Sequence, residues 1–518
     1  MTDIPFQPSF DTPRPASVAN AASPVVTRRE ARARQTLRQF VVFAMVLPLT
    51  ALFFRDSALD DATRWLAGAT WVLCLLPAWD YLRFPPRRRP PIPFLPMIGI
   101  AYGVYFVLQA VLGDTNVYGR FNVAAYMQIL DPHLYRQAVQ LVFAGWVMLL
   151  GGYWVVSRVI RIRPRIAEQN LVALRGLALG VVGVGVAMEI AKRLPIFPSM
   201  LRGSLYSSAL LALLGVALLI VLRVRRCLTP LYTAVLYGTL ALLFFLGVGT
   251  AAGQIFVLLL TCVLAVWIGG GHIPGRWVFI GVVGASFMVA LRGTAGEQRQ
   301  IIRRAGIRLS ASQNAVMLLD MLHARTERDG VVEVVVSGFQ ATAQRSALLD
   351  LFTDVIRQTP EAVPYWGGET YKSLVGAFVP RFLWPGKPTK TVGYQFGHRY
   401  HYLPEDYYNT TINMPFLVEF YANFGVVGVL LGMLLVGAIY RALEAIVNVP
   451  GQSIIASICG LGLLVPLLNL ESDFSLVFGG LFLNGMLFYG VYLAGIRVSR
   501  RRARTAASEL LRAAVPAR

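Results

Sequence analysis

Charge is the first thing this sequence lacks. Only 14% of its residues are charged and 56% are hydrophobic. Soluble globular domains carry about 25% charged residues, so a water-soluble fold that hides this much apolar surface in one core is excluded. Cysteine is also scarce. Cys74, Cys227, Cys262 and Cys459 are scattered with no CxxC spacing, which excludes a disulfide framework and gives no basis for a metal site. His398 and His401 show neither HExxH nor His-x3-His spacing. Walker A, GxGxxG and GxSxG motifs are missing, as is a cytoplasmic segment long enough to fold around a nucleotide sugar. No internal repeat and no soluble cofactor are expected. The first 39 residues are polar and Pro-rich, and they end in Arg28, Arg29, Arg32, Arg34 and Arg38. They read as a disordered basic cytoplasmic tail with no cleavable signal peptide.

The abundant features are apolar blocks. They lie at 40–55, 63–82, 94–113, 137–157, 172–191, 204–222, 230–248, 254–269, 277–291, 420–440, 453–469 and 475–495. Each is near the length that spans about 30 Å of hydrocarbon at 1.5 Å per residue. The net charge of +21 falls mostly in the short segments between blocks. Nucleic-acid binding is therefore a poorer account than the positive-inside rule, since every second connection is the basic one. The expectation is an all-α polytopic membrane protein of about twelve transmembrane helices with both termini cytoplasmic. The first and ninth blocks are the shortest, and losing only one would put a terminus on the wrong side, against its arginines.

This pattern divides the chain into the tail 1–39, helices over 40–291, one large periplasmic loop over 292–418, helices over 419–496 and a basic cytoplasmic tail over 497–518. A loop this long is functional or disordered, and its tryptophans and tyrosines argue against disorder. It reads as a folded, partly helical cap on the membrane face. Helical runs are expected at Gln313–Leu322 and Ala343–Arg357, with a break at Pro360 and Pro364. The run Val331–Val336 reads as a strand or as apolar contact with lipid or helices. Charges inside the blocks (Asp80, Arg175, Glu189 and Glu444) lie near block ends, where they can snorkel.

Apart from Arg292 at its start, the chemistry-bearing residues cluster late in the loop. Arg292, Arg381, Lys387, Lys390 and Arg399 are the cations, accompanied by the aromatics Tyr371 and Trp384. Arginine forks bind phosphate oxygens, but arginine, tyrosine and tryptophan also populate any membrane interface. His398, His401, Glu405 and Asp406 form a group able to move protons, or a solvated turn. Glu419 and Asn423 stand at the mouth of the tenth block. Glu419 is either a functional carboxylate or a residue favouring a helix N-terminus.

These segments carry a resemblance. The stretch Pro364 to Tyr371, then Pro380-Arg381-Phe382-Leu383-Trp384-Pro385-Gly386-Lys387-Pro388, then Glu419 to Gly428 resemble the bacterial oligosaccharide repeat-unit polymerases, the Wzy-type O-antigen and exopolysaccharide polymerases. The match covers about a quarter of the chain; the rest is similar only in its hydropathy plan, of the GT-C-like kind. The resemblance implies a glycosyltransferase of the bacterial inner membrane. Its substrates would be polyprenyl-diphosphate-linked glycans, with a chain-length regulator and a flippase as protein partners. Many family members carry an arginine in a mid-chain periplasmic turn, where this chain has Gly249-Thr250-Ala251-Ala252-Gly253-Gln254. Diphosphate binding would then fall to Arg292, Arg381 or Arg399. The competing expectations are a ligase-like glycan transferase, a transporter or flippase of lipid-linked sugars, and a non-catalytic envelope scaffold.

Overall fold

A computed structural model describes residues 24–54, 59–84, 89–112, 131–160, 170–192, 194, 199–248, 252–271, 284, 294–298, 301–302, 305–307, 309–346, 348–377, 384, 392–405 and 411–514. Among these residues the chain is helical throughout, with no strand. In chain order the first helices are α1 (Pro24–Leu49), α2 (Ala51–Phe54), α3 (Asp61–Arg83) and α4 (Phe94–Tyr102). A π-turn at Gly103–Val107 joins α4 to α5 (Leu108–Leu112). Then come α6 (Pro132–Val159), α7 (Leu174–Ala191), α8 (Ser199–Val224), α9 (Pro230–Val248) and α10 (Ala252–Ile268). The expected loop holds α11 (Ala311–Asp329), α12 (Val331–Ser346), α13 (Leu348–Gln358), a 3-10 turn at Glu369–Tyr371, α14 (Lys372–Ala377) and α15 (Val392–Arg399). The chain closes with α16 (Phe416–Val447), α17 (Ile454–Leu467) and α18 (Phe474–Ala514).

Seven helices among the described residues are long and apolar enough to cross a membrane: Gln35–Phe54, Phe94–Leu112, Pro132–Val159, Leu174–Ala191, Pro230–Gly247, Phe416–Val447 and Phe474–Arg501. The protein is membrane-embedded. Shorter apolar helices, Leu210–Val224, Gln254–Ile268 and Ile454–Leu467, occupy three more of the expected blocks. Helix α3 forms over the block at 63–82, while the block at 277–291 lies, except for residue 284, outside the described residues.

Local sequence sets several helix starts. The Asp60 carboxylate accepts from Thr63 N at 3.1 Å, capping α3. Asp131 accepts from His133 N at 2.9 Å, with Pro132 at the first helical position of α6. Ser310 and Gln313 form a reciprocal capping box on α11. Each supplies acceptors to amides that the helix leaves unpaired.

Three expectations are corrected here. Helix begins at Pro24, so residues 24–39 are not a disordered tail. The run Val331–Val336 is helical. Its valines favour strands, but without a partner strand only a helix pairs the backbone polar groups locally. Glu444 does not snorkel. It is 4% exposed and is bonded by Tyr153 and by Asn448 Nδ2, the latter at 3.0 Å. Helix α13 is buried within the protein from Leu348 to Ile356, and it packs against α6, α16 and the π-turn.

The pairing of α6 with α16 is the centre of the fold. It depends on glycine at the crossing. A Cβ on Gly152 would overlap the Leu434 carbonyl, and one on Gly437 would overlap the Leu149 carbonyl. Small residues let helix backbones approach where both sides are apolar and burial gives no driving force. Gly152→Val is expected to destabilise the protein by about 1–3 kcal/mol through overpacking. The check is the unfolding temperature in detergent, and an unchanged midpoint counts against this crossing.

Candidate functional site

Helix α16 is not one rod. Phe424 (φ −140°, ψ 15°) and Gly425 (φ 63°, ψ −147°) leave helical geometry. On α6, a Cβ at Gly145 would lie 3.2 Å from Leu417 and 3.4 Å from Met433. A straight helix would hold those two residues about 24 Å apart. A Cβ at Gly432 would lie 2.5 Å from the Phe420 ring. The segment 416–423 therefore folds back beside 426–433 as a half-helix. Its end is capped by the loop: Trp366 N donates to Ala422 O at 3.0 Å and Gly367 N to Asn423 O at 3.3 Å. These amides satisfy carbonyls that the broken helix would leave orphaned.

Glu419 lies in this half-helix and is fully buried. Its Oε2 accepts from Phe474 N, at the start of α18, at 2.6 Å. Its Oε1 is buried and closes no hydrogen bond of normal length, while the Thr370 side chain lies beside the carboxylate. Asn423 locks the surroundings. Its Nδ2 donates to Thr370 Oγ1 at 2.9 Å and to Glu419 O at 2.8 Å, while its Oδ1 accepts from Gly368 N at 2.8 Å. Tyr371 stacks on Phe424 at 6.2 Å and meets Phe474 edge-on at 6.1 Å. The Tyr371 hydroxyl is also buried, with the Thr370 side chain beside it. Burial pushes its phenol pKa up, and the Glu419 charge adds to the shift.

One cation of α15 packs on the loop that caps this cluster. The Arg399 guanidinium lies 4.5 Å over the Trp366 ring and its Nη2 donates to Pro364 O at 2.9 Å. Asn423, Thr370, Glu419 and Tyr371 thus pack together, and Arg399 touches the loop that caps them through Trp366 and Pro364. The other expected residues do not join them in the same way. His401 is exposed, with a left-handed φ of 57°, and Glu405 is exposed. Both fit the solvated turn better than a held base. Trp384 is 42% exposed, and His398 sits in the last turn of α15. Arg292, Arg381, Lys387, Lys390 and Asp406 lie outside the described residues.

Sequence reasoning missed Thr370, Phe474 and the carboxylates of α13. Asp350 accepts from Gln109 Nε2 at 2.6 Å and from the Tyr135 hydroxyl. Asp354 accepts from the Tyr402 hydroxyl at 2.6 Å and Gln358 Nε2 at 2.7 Å, and pairs with Arg357 at 2.6 Å. These bonds hold α13 in place, and its Phe352 meets Tyr421 of the half-helix edge-on at 5.7 Å. The signal was present: two carboxylates four residues apart in an apolar helical run fall on one face.

Residues 301–448 match a family model described as a domain of unknown function, DUF8712. The matched stretch holds the cluster around Glu419 and the loop that caps it, from Pro364 to Asn423. No curated protein and no solved structure matches the chain.

Proposed function

We propose that this protein polymerises polyprenyl-diphosphate-linked oligosaccharide repeat units into a surface polysaccharide. The observation that carries the reading is Glu419: a buried carboxylate with one oxygen held at 2.6 Å by Phe474 N and the other closing no hydrogen bond of normal length. Leaving a buried acceptor unpaired costs about 1–3 kcal/mol. A substrate hydroxyl would supply the missing donor. A fixed carboxylate with a vacant lone pair is the form a general base takes.

In this reading the acceptor hydroxyl gives its proton to Glu419 as its oxygen bonds to the anomeric carbon of the donor glycan. The bond from that carbon to the lipid diphosphate breaks, and the diphosphate leaves with the electron pair. Arg399, with Arg292, Arg381, Lys387 and Lys390, neutralises that charge. Tyr371 and Trp384 offer faces for sugar rings. The donor carries its own activation, so the reaction needs no nucleotide. The reading also includes about twelve spans, with the loop 292–418 periplasmic and both termini cytoplasmic in a bacterial inner membrane. The support is the resemblance of the loop and α16 to repeat-unit polymerases, together with the geometry around Glu419.

A transporter of lipid-linked sugars is the second reading, favoured by the break in α16, because transporters place sites at discontinuous helices. The surface-glycan profile of a deletion strain separates the readings. Polymerase loss leaves single repeat units and removes the polymer ladder. Long polymer persisting on its carrier would indicate a ligase-like transfer. Loss of both single units and polymer from the surface would indicate a flippase, and an unchanged profile would leave the scaffold.

A further inference from the structure

Helix α1 borders an open groove remote in the chain from Glu419. It has a volume of about 530 Å³ and is lined by Gln35, Arg38, Gln39, Val42, Phe43 and Val46 of α1, with Trp79 of α3. Pockets that hold organic ligands measure about 300–1,000 Å³. The six α1 residues recur at helical spacing along one face, and the twelve residues from Gln35 to Val46 extend about 18 Å. Their order grades from polar to apolar. Gln35, Arg38 and Gln39 come first, in the opening turn of the candidate span, and Val42, Phe43 and Val46 follow in the next two turns.

Arg38 is the charged member. Its guanidinium lies 4.6 Å over the Trp79 ring, and its Nε is buried without a hydrogen-bond partner. Stacking of this kind fixes the plane of the fork and leaves its edge N–H groups to bind an anion. Arg28, Arg29, Arg32 and Arg34 precede this face in the sequence, so its polar end continues from a basic segment. The occupant that matches is an amphiphile with an anionic head and an aliphatic tail. We propose that this groove is a site for an anionic phospholipid of the bilayer, with its phosphate on Arg38 and an acyl chain along Val42, Phe43 and Val46. A basic cluster at the cytoplasmic end of a membrane helix attracts anionic lipid in general. The groove and the stacked arginine turn that attraction into a discrete site.

The test uses the full chain, purified in detergent and titrated with phosphatidylglycerol or phosphatidylcholine, with bound lipid counted by native mass spectrometry. Wild type is expected to retain one phosphatidylglycerol in preference to phosphatidylcholine. Arg38→Gln is expected to bind it about tenfold more weakly, the loss of one charge-assisted hydrogen bond. Val42→Trp keeps Arg38 but fills the tail groove, and is expected to abolish retention with an unchanged elution profile. It guards against misfolding of the arginine variant. Equal retention of the two lipids, or wild-type retention by both variants, overturns the proposal. Displacement of the lipid by inorganic phosphate alone would make this a free-anion site, and preference for a polyprenyl phosphate would make it a carrier site. Either result overturns the phospholipid.

Discussion

Glu419→Gln is expected to abolish polymer while leaving the protein folded and at its normal level. The two roles open to Glu419 differ in what they need. One is structural: Oε2 accepts from Phe474 N at 2.6 Å, at the first residue of α18, which caps that helix. A glutamine carbonyl oxygen accepts the same bond. The other role is proton removal, which an amide cannot perform. Loss of a general base lowers turnover by about 10²–10⁴-fold, enough to remove a ladder that depends on many successive transfers. The measurement pairs the surface-glycan profile with the unfolding temperature of the purified variant. A normal ladder in Glu419→Gln would leave Glu419 as a cap alone and pass the base to His401, Glu405 or Asp406. Glu419→Ala removes both roles, so a lower midpoint is expected only there.

The second large effect falls on Gly425. Its φ of 63° with ψ of −147° lies close to a region that essentially only glycine occupies, and a side chain there costs about 1–3 kcal/mol. Space is short as well, because a Cβ would lie 2.9 Å from the Tyr365 hydroxyl. Gly425→Ala is expected to lower the unfolding temperature and to remove activity, because the half-helix that carries Glu419 and Asn423 cannot keep its direction. Adding Tyr365→Ala relieves the clash but not the backbone strain, so the double variant recovers only part of the loss. Full activity in Gly425→Ala would mean that the break in α16 is not needed for function. Full recovery in the double variant would assign the whole effect to the clash.

Both predictions depend on the fold-back of 416–423, and the sequence shows almost nothing of it. The apolar pattern runs through Phe424 and Gly425 without interruption, and a single glycine in a membrane helix is ordinary. The turn exists because other parts of the chain satisfy it. Trp366 and Gly367 cap its carbonyls, Gly432 leaves room for the Phe420 ring, and Gly145 receives Leu417 and Met433 together. The burial of α13 is similar. Its paired aspartates were visible in the sequence. Their partners Gln109, Tyr135 and Tyr402 stand far away in the chain, and only packing brings them near.

The sequence by itself determined that the protein is helical and membrane-embedded. Low charge and long apolar blocks leave the backbone no partner in lipid except itself, and this holds whatever the tertiary arrangement. It also marked Glu419, Asn423, Tyr371 and Arg399 by type and neighbourhood. Only the tertiary structure decided that Glu419, Asn423 and Tyr371 pack together, with Arg399 on the adjoining Trp366, while His401 and Glu405 are exposed. Side-chain burial and hydrogen bonding between distant segments depend on how helices cross. In this protein those crossings are set by glycines whose role becomes visible only when a second backbone lies against them.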